Sequence, residues 1–187
     1  MVASDGADVV IVCTANRCRS PLAAALLRDR AAAAGLPWTV GSAGVHARRG
    51  DVTEPEAVEV LREIGVAATA EPARRLDAAA LAGAGLVLTA ERRHRSHVLE
   101  LAPAKVGRVY TLLEFARLVR AAGAPAAGVS DVSSLAALAD SARAAAGPGG
   151  VVDDLADPIG GPLDVFRECR DTVAAAVDAI VTAAGRR

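Results

Sequence analysis

Four apolar β-branched residues, Val9-Val10-Ile11-Val12, run straight into Cys13-Thr14-Ala15-Asn16-Arg17-Cys18-Arg19-Ser20-Pro21. An apolar run of this kind suits a strand buried on both faces, as in a parallel sheet. The polar segment after it carries a cysteine and, six residues on, an arginine. That spacing lets a loop wrap a tetrahedral anion, with backbone N–H groups turned inward and the guanidinium gripping two oxygens. Thr14, Ala15, Asn16, Arg17, Cys18, Arg19 and Ser20 are therefore the candidate phosphate-binding residues. Ser20 suits a helix N-cap and Pro21 a first helical position, which would aim the positive end of a helix at the same point. The combined field favours the thiolate of Cys13, the candidate nucleophile.

Further buried-type strands are expected at Asp8 to Val12, Trp38 to Val40, Gly85 to Thr89 and Val106 to Tyr110. Helical spacing of apolar residues predicts helices over Pro21 to Ala34, Glu54 to Ile64, Glu91 to Leu101, Leu112 to Ala121 and Leu163 to Ala184. Alternation of this kind implies a three-layer α/β fold with a parallel sheet, and ligands in such sheets bind beyond the carboxyl ends of the strands. Gly123 to Val152 stands apart, rich in Ala, Gly, Ser and Pro with a possible helix over Ser134 to Ala146, and reads as a mobile or weakly packed insertion.

With 187 residues the chain fits one domain, 1–187, and its net charge of -1 gives no support for nucleic-acid binding. Apolar runs fall short of the ~18 residues that would span a bilayer, and Met1 to Gly6 lacks a basic start followed by an apolar core. A cytoplasmic location is expected. Three cysteines match neither a disulfide framework nor zinc-ligand spacing, so neither metal nor cofactor is expected.

The Cys13 to Pro21 segment resembles the signature of the low-molecular-weight protein tyrosine phosphatase family. Gly41-Ser42-Ala43-Gly44 resembles the end of that family's second strand, Leu86 to Thr89 its third strand, and Asp157-Pro158-Ile159-Gly160-Gly161 its acid loop. The resemblance implies a four-stranded parallel sheet with helices on both faces and the phosphate loop after strand 1. It also implies a cysteine-dependent phosphatase that forms a phosphocysteine intermediate, with a phosphorylated protein or small phosphomonoester as substrate.

In that scheme Cys13 attacks phosphorus, Arg19 clamps two oxygens, and a separate acid must protonate the leaving group. Asp153, Asp154 and Asp157 compete on composition; the resemblance selects Asp157, ahead of Pro158 and a glycine pair. Ser20 is expected as a cap and as a hydroxyl that steadies the departing Cys13 thiolate. Asn16 is expected to take a left-handed backbone and brace the loop against Ser42, as structural support. Cys18 is within disulfide reach of Cys13 or simply fills the loop, and Cys169 reads as a core thiol. His46, Arg48 and Arg49 read as a solvated turn beside the pocket, His94 and His97 as surface residues.

The chain departs from the family at several points. Ala15 replaces the usual glycine, at a cost of about 1 kcal/mol if its φ must be positive. Arg17 replaces a small or aliphatic residue, and a cation at the rim would repel a guanidinium, disfavouring phosphoarginine. Ile159 and Gly160 stand where tyrosine phosphatases carry tyrosines, and aromatics make up 2% of the chain. The acid-loop form looks more like the arginine-phosphatase branch. Phosphotyrosine in proteins is the leading expectation. Protein arginine phosphatase, arsenate reductase and a non-catalytic phosphoprotein-binding module are the alternatives.

Overall fold

The computed structural model describes residues 6–123, 129–147 and 149–185. Residues 124–128 and 148 of the expected insertion, and the start over 1–5, lie outside the described residues. Four strands, β1 (Val9–Cys13), β2 (Val40–Gly44), β3 (Leu86–Thr89) and β4 (Val109–Thr111), form one sheet in the order β2-β1-β3-β4. All neighbours are parallel: Val9 lies opposite both Val40 and Leu86, and Val87 opposite Val109. The chain therefore winds outward from β1 in both directions, and the segment after Cys13 emerges where the winding reverses.

Among the described residues eight α-helices accompany the sheet: α1 (Arg19–Ala33), α2 (Pro55–Glu63), α3 (Ala78–Ala82), α4 (Arg92–Leu101), α5 (Leu112–Ala122), α6 (Val132–Ser141), α7 (Arg143–Ala146) and α8 (Leu163–Gly185). Strand alternation sorts them into layers. Val9, Ile11 and Cys13 belong to the core shared with Leu22 and Leu26 of α1, Phe115 of α5, and Val173 and Ile180 of α8. Val10 and Val12 point the other way, into a smaller cluster with Ala80 and Leu81 of α3 and Val98 of α4. Both faces of β1 are thus covered, which is what its unbroken apolar run requires.

Two strands sit later in the chain than the apolar runs suggest. β2 begins at Val40, where the apolar run ends, and continues through Gly41 to Gly44, the stretch that resembles the family's second-strand end, paired with β1 throughout. Pro103–Arg108 is a 3-10 turn, so β4 begins only at Val109. The short α3 was not expected; Asp77 caps it by accepting from the Ala80 N–H at 2.8 Å.

Within 123–152 the helix α6 is closely packed rather than weakly packed, whereas Val151 and Val152 are exposed. Leu135, Ala136 and Ala139 of α6 are 0%, 2% and 0% exposed and join the main core. The Trp38 indole donates to the Ser130 carbonyl at 2.6 Å, and the Tyr110 hydroxyl to the Ala136 carbonyl at 3.2 Å. Alanine offers little apolar area per residue yet allows close helix contact, so composition alone concealed this packing. Leu135→Ala should cost about 2–5 kcal/mol in urea denaturation; a loss as small as an exposed substitution gives would mean that α6 is only loosely attached.

Candidate active site

β1 ends at Cys13, and the chain then turns through Asn16 into α1. Asn16 is the one described non-glycine residue with positive φ, at 55°. Its amide fixes that turn: Nδ2 donates to Ser20 Oγ at 2.9 Å and to Ser42 Oγ at 2.8 Å, while Oδ1 accepts from the Arg74 backbone N–H at 2.8 Å. Ala15 has no positive φ, so the strain expected from its Cβ does not arise. Among the described residues, no protein acceptor takes the backbone N–H groups of Thr14 to Cys18, which leaves them available to an anion.

Gly44, the last residue of β2, lies directly beneath this turn. A Cβ there would sit 2.7 Å from Asn16 N, 2.8 Å from the Ala15 carbonyl carbon and 2.8 Å from Thr14 O. All three are backbone atoms, so the loop could not yield cheaply.

Ser20 differs from its expected place. α1 begins at Arg19 with Cys18 at the N-cap position, so Ser20 and Pro21 already lie inside the first turn. The Ser20 hydroxyl is instead 3.0 Å from Cys13 Sγ and 3.3 Å from the Ala43 carbonyl, and it is fully buried.

Arg19 is 2% exposed and heavily engaged. Its Nη1 meets Glu91 Oε1 and donates to the Leu155 carbonyl at 3.1 Å; its Nη2 donates to Asp157 Oδ2 at 2.6 Å and to Thr14 Oγ1 at 3.3 Å. Asp157, 138 residues further along the chain, is therefore brought to the Cys13 loop, with its side chain 36% exposed at the mouth. Burial pushes the Glu91 carboxyl up, but the hydrogen bonds from Arg93 and Arg19 outweigh it and hold the group below the usual carboxylate range. Sequence reasoning missed Glu91, for which only its position just after β3 gave any hint.

Asp153 and Asp154, the other acid candidates, are held elsewhere: Asp153 accepts a forked contact from Arg117, and Asp154 one from Arg92. Arg17 is not a free rim cation. It pairs with Glu54, whose backbone N–H also donates to the Arg17 carbonyl at 2.8 Å. Cys13, Cys18 and Cys169 are all free thiols and all buried. Burial above all, with Glu54 and Asp157 adding to it, pushes the Cys18 thiol well above its ordinary range. Cys169 lies in the α8 core, where burial raises it to about 12.

His94 corrects a second expectation. It is 2% exposed rather than superficial, with Nε2 placed 2.9 Å from Thr14 Oγ1. His46 is exposed, and its ring meets His97 edge-on at 5.9 Å. Among the described residues no group of three or more His, Cys, Asp or Glu could hold a metal, and no helix is long and apolar enough to cross a membrane.

A family model described as low molecular weight phosphotyrosine protein phosphatase matches residues 8–131. The chain is 30% identical to a protein-arginine-phosphatase of Geobacillus stearothermophilus over 171 residues, covering 91% of this chain and 90% of that protein. It is 36% identical over 107 residues to a probable low molecular weight protein-tyrosine-phosphatase, EpsP, of Ralstonia nicotianae, covering 57% and 70% of the two chains. The solved low molecular weight protein tyrosine phosphatase from T. tengcongensis superposes with a TM-score of 0.71 at 29% identity, covering 92% of this chain and 96% of that one. The YwlE arginine phosphatase from Geobacillus stearothermophilus gives 0.69 at 30%, covering 94% and 90%.

Fold and likeness together define a cysteine-based phosphatase of the α/β class. The chain belongs to the low molecular weight phosphotyrosine protein phosphatase family.

Two predictions follow from the loop's supports. Gly44→Ala should leave the overall fold intact, cost about 1–3 kcal/mol of stability through overpacking, and sharply weaken orthovanadate inhibition and turnover; unchanged inhibition would mean that the loop tolerates the methyl group. Burial chiefly lowers His94 to about 4, with Arg19 and Arg93 helping and Glu91 and Asp157 opposing. Between its ordinary value of 6.5 and about 4, the unfolded chain binds a proton that the folded chain refuses. The stability tied to neutral His94 is thus present above pH ~6.5 and lost as pH falls through ~4. His94→Gln should flatten that part of the pH–stability curve measured by urea denaturation.

Proposed function

We propose that the chain dephosphorylates proteins through a phosphocysteine on Cys13. The observation that carries this reading is the convergence of Cys13, Ser20, Arg19 and Asp157 on one loop with free backbone N–H donors. Thr14 to Ser20 would surround the phosphoryl oxygens, and Arg19 would hold two of them with the planar fork that lysine lacks. The Cys13 sulfur forms a bond to phosphorus as the bond to the leaving group breaks, and Asp157 gives its proton to the departing atom. Water then attacks the phosphocysteine. Asp157 takes a proton from that water, and the Ser20 hydroxyl donates to the departing sulfur.

The family description favours phosphotyrosine as substrate. Phosphoarginine is the second reading, on two specific observations. The four aromatic residues, Trp38, Tyr110, Phe115 and Phe166, are at most 9% exposed, so no ring is free to stack on a phenyl group at the mouth. The charge of Arg17, expected to repel a guanidinium, is paired with Glu54. The relatives matched over most of both chains include protein-arginine-phosphatases. Arsenate reduction has no comparable support, because Cys18 and Cys169 are both buried.

Steady-state assays on an aryl phosphate should show no turnover for Cys13→Ser. Arg19→Lys should lose roughly 100-fold or more, and Asp157→Ala roughly 100- to 10,000-fold with a poor leaving group. Wild-type rates retained in Cys13→Ser would sink the mechanism. Release of phosphate from matched phosphotyrosine, phosphoarginine and phosphoserine peptides decides between the two substrate readings.

A further inference from the structure

Every described arginine but four bonds a carboxylate or a backbone carbonyl. The four are Arg48, Arg49, Arg74 and Arg75, all exposed, whose guanidinium groups make no hydrogen bond or ion pair with a described residue. They fall on two short segments that the backbone laces together. Gly44 N–H donates to the Arg74 carbonyl at 2.8 Å, Leu76 N–H to the Gly44 carbonyl at 2.9 Å, and Ala73 N–H to the Asp51 carbonyl at 2.8 Å. Within those segments Glu71 is engaged by Arg28 and Asp77 caps α3, leaving Asp51 and the remaining charge of Asp77 to offset four cations.

The same segments touch the candidate site. His46 N–H donates to the Thr14 carbonyl at 2.8 Å, and the Arg74 backbone N–H to the Asn16 side chain. The uncompensated charge therefore borders the anion loop on the β2 side. On a chain whose net charge is -1, with its other described arginines engaged, this concentration is local rather than a general basic character.

We propose that Arg48, Arg49, Arg74 and Arg75 form a docking surface for an acidic stretch of the substrate protein flanking its phosphorylated residue. The inference rests on the protein-phosphatase reading above and extends it to what surrounds the phosphate. A residue that delivers its phosphoryl group to Cys13 must carry neighbouring backbone across the rim, and aspartate or glutamate there would meet four unpaired guanidinium groups. Arginine binds carboxylates through two parallel N–H donors, so the surface selects acidic side chains beyond simple attraction. Exposed pairs are individually weak, and several together shift encounter and KM more than kcat. Two acids, Asp51 and Asp77, against four arginines do not change the sign of the patch.

The test compares two tyrosine-phosphorylated or arginine-phosphorylated peptides of equal length, whichever class is hydrolysed, with Asp/Glu or Ser/Gly flanks, alongside an aryl phosphate. The acidic peptide should show a KM about 3- to 10-fold lower with kcat little changed, and the difference should shrink as salt is raised. Arg48→Glu/Arg49→Glu/Arg75→Glu should abolish or invert the preference while leaving aryl phosphate turnover intact; Arg74 is spared because its backbone supports Asn16. Equal KM values for both peptides overturn the proposal, as does a parallel loss on the aryl phosphate. Binding of the same peptides to the Cys13→Ser chain by fluorescence anisotropy separates the two readings: acidic preference without any wild-type turnover keeps the docking surface and removes the phosphatase. Sedimentation with phosphatidylserine vesicles, combined with indifference to peptide flanks, would assign the arginines to a membrane surface instead.

Discussion

The site depends on one buried amide. Asn16 holds its backbone in the left-handed region, which a branched side chain would resist, and spends three hydrogen bonds to do so. Those bonds reach three different parts of the chain: Ser20 at the start of α1, Ser42 on β2, and the backbone at Arg74. The loop's curvature, the aim of the Ser20 hydroxyl at Cys13 and the seating of β2 are consequently one cooperative unit. Removing the amide would orphan buried polar groups at about 1–3 kcal/mol each, and the vacant position beneath, kept by Gly44, leaves the loop no second way to settle.

The acid candidate reaches this unit by a chain of tethers. Arg117 grips Asp153, the Thr111 hydroxyl donates to the Asp153 carbonyl at 2.7 Å, and Arg92 grips Asp154. Leu155 N–H donates to the Ala90 carbonyl at 2.8 Å, and Arg19 returns a bond to the Leu155 carbonyl. Each successive residue from 153 to 155 is thus fixed to α5, α4 or the end of β3. Asp157 follows two residues later with Pro158 buried behind it, so the freedom left to its carboxylate is small. The helices of 132–146 belong to this arrangement, since Arg117 also donates to the Ala146 carbonyl and Arg143 pairs with Glu114.

What the sequence revealed follows the range of the forces involved. β1 and the long α8 were legible because their burial is continuous over a whole element, and the Cys13 to Arg19 spacing was legible because the loop is local. Ser20 was misplaced because a strong capping residue and a following proline outweighed, on paper, a helix that starts two residues earlier to bring Arg19 into the turn. His94 was read as a surface residue because its helix is rich in arginine; only the tertiary contact with Thr14 buries it. The apolar run at Trp38 to Val40 set β2 too early, and only the family resemblance marked Gly41 to Gly44 as strand; the missing side chain of Gly44 is what lets that strand run close under the turn of Thr14, Ala15 and Asn16. Glu91 and Glu54 were invisible as site residues, since a carboxylate's partner across the fold leaves no local pattern.

Those two carboxylates complete the electrostatic account. A guanidinium as buried as that of Arg19 is costly without countercharge, and Glu91 together with Asp157 supplies it. The two are not equivalent. Glu91 is also bound by Arg93 and lies behind the guanidinium in a half-buried position, whereas Asp157 sits on an exposed loop at the mouth. On the phosphatase reading proposed above, a phosphoryl dianion entering the loop would compete for Nη2 with Asp157 and leave Nη1 to Glu91. Its carboxylate would then be released from the cation at the place where the leaving group departs. The same arginine that would hold the substrate also holds the acid candidate, so phosphate recognition and release of the Asp157 carboxylate would be coupled through a single side chain.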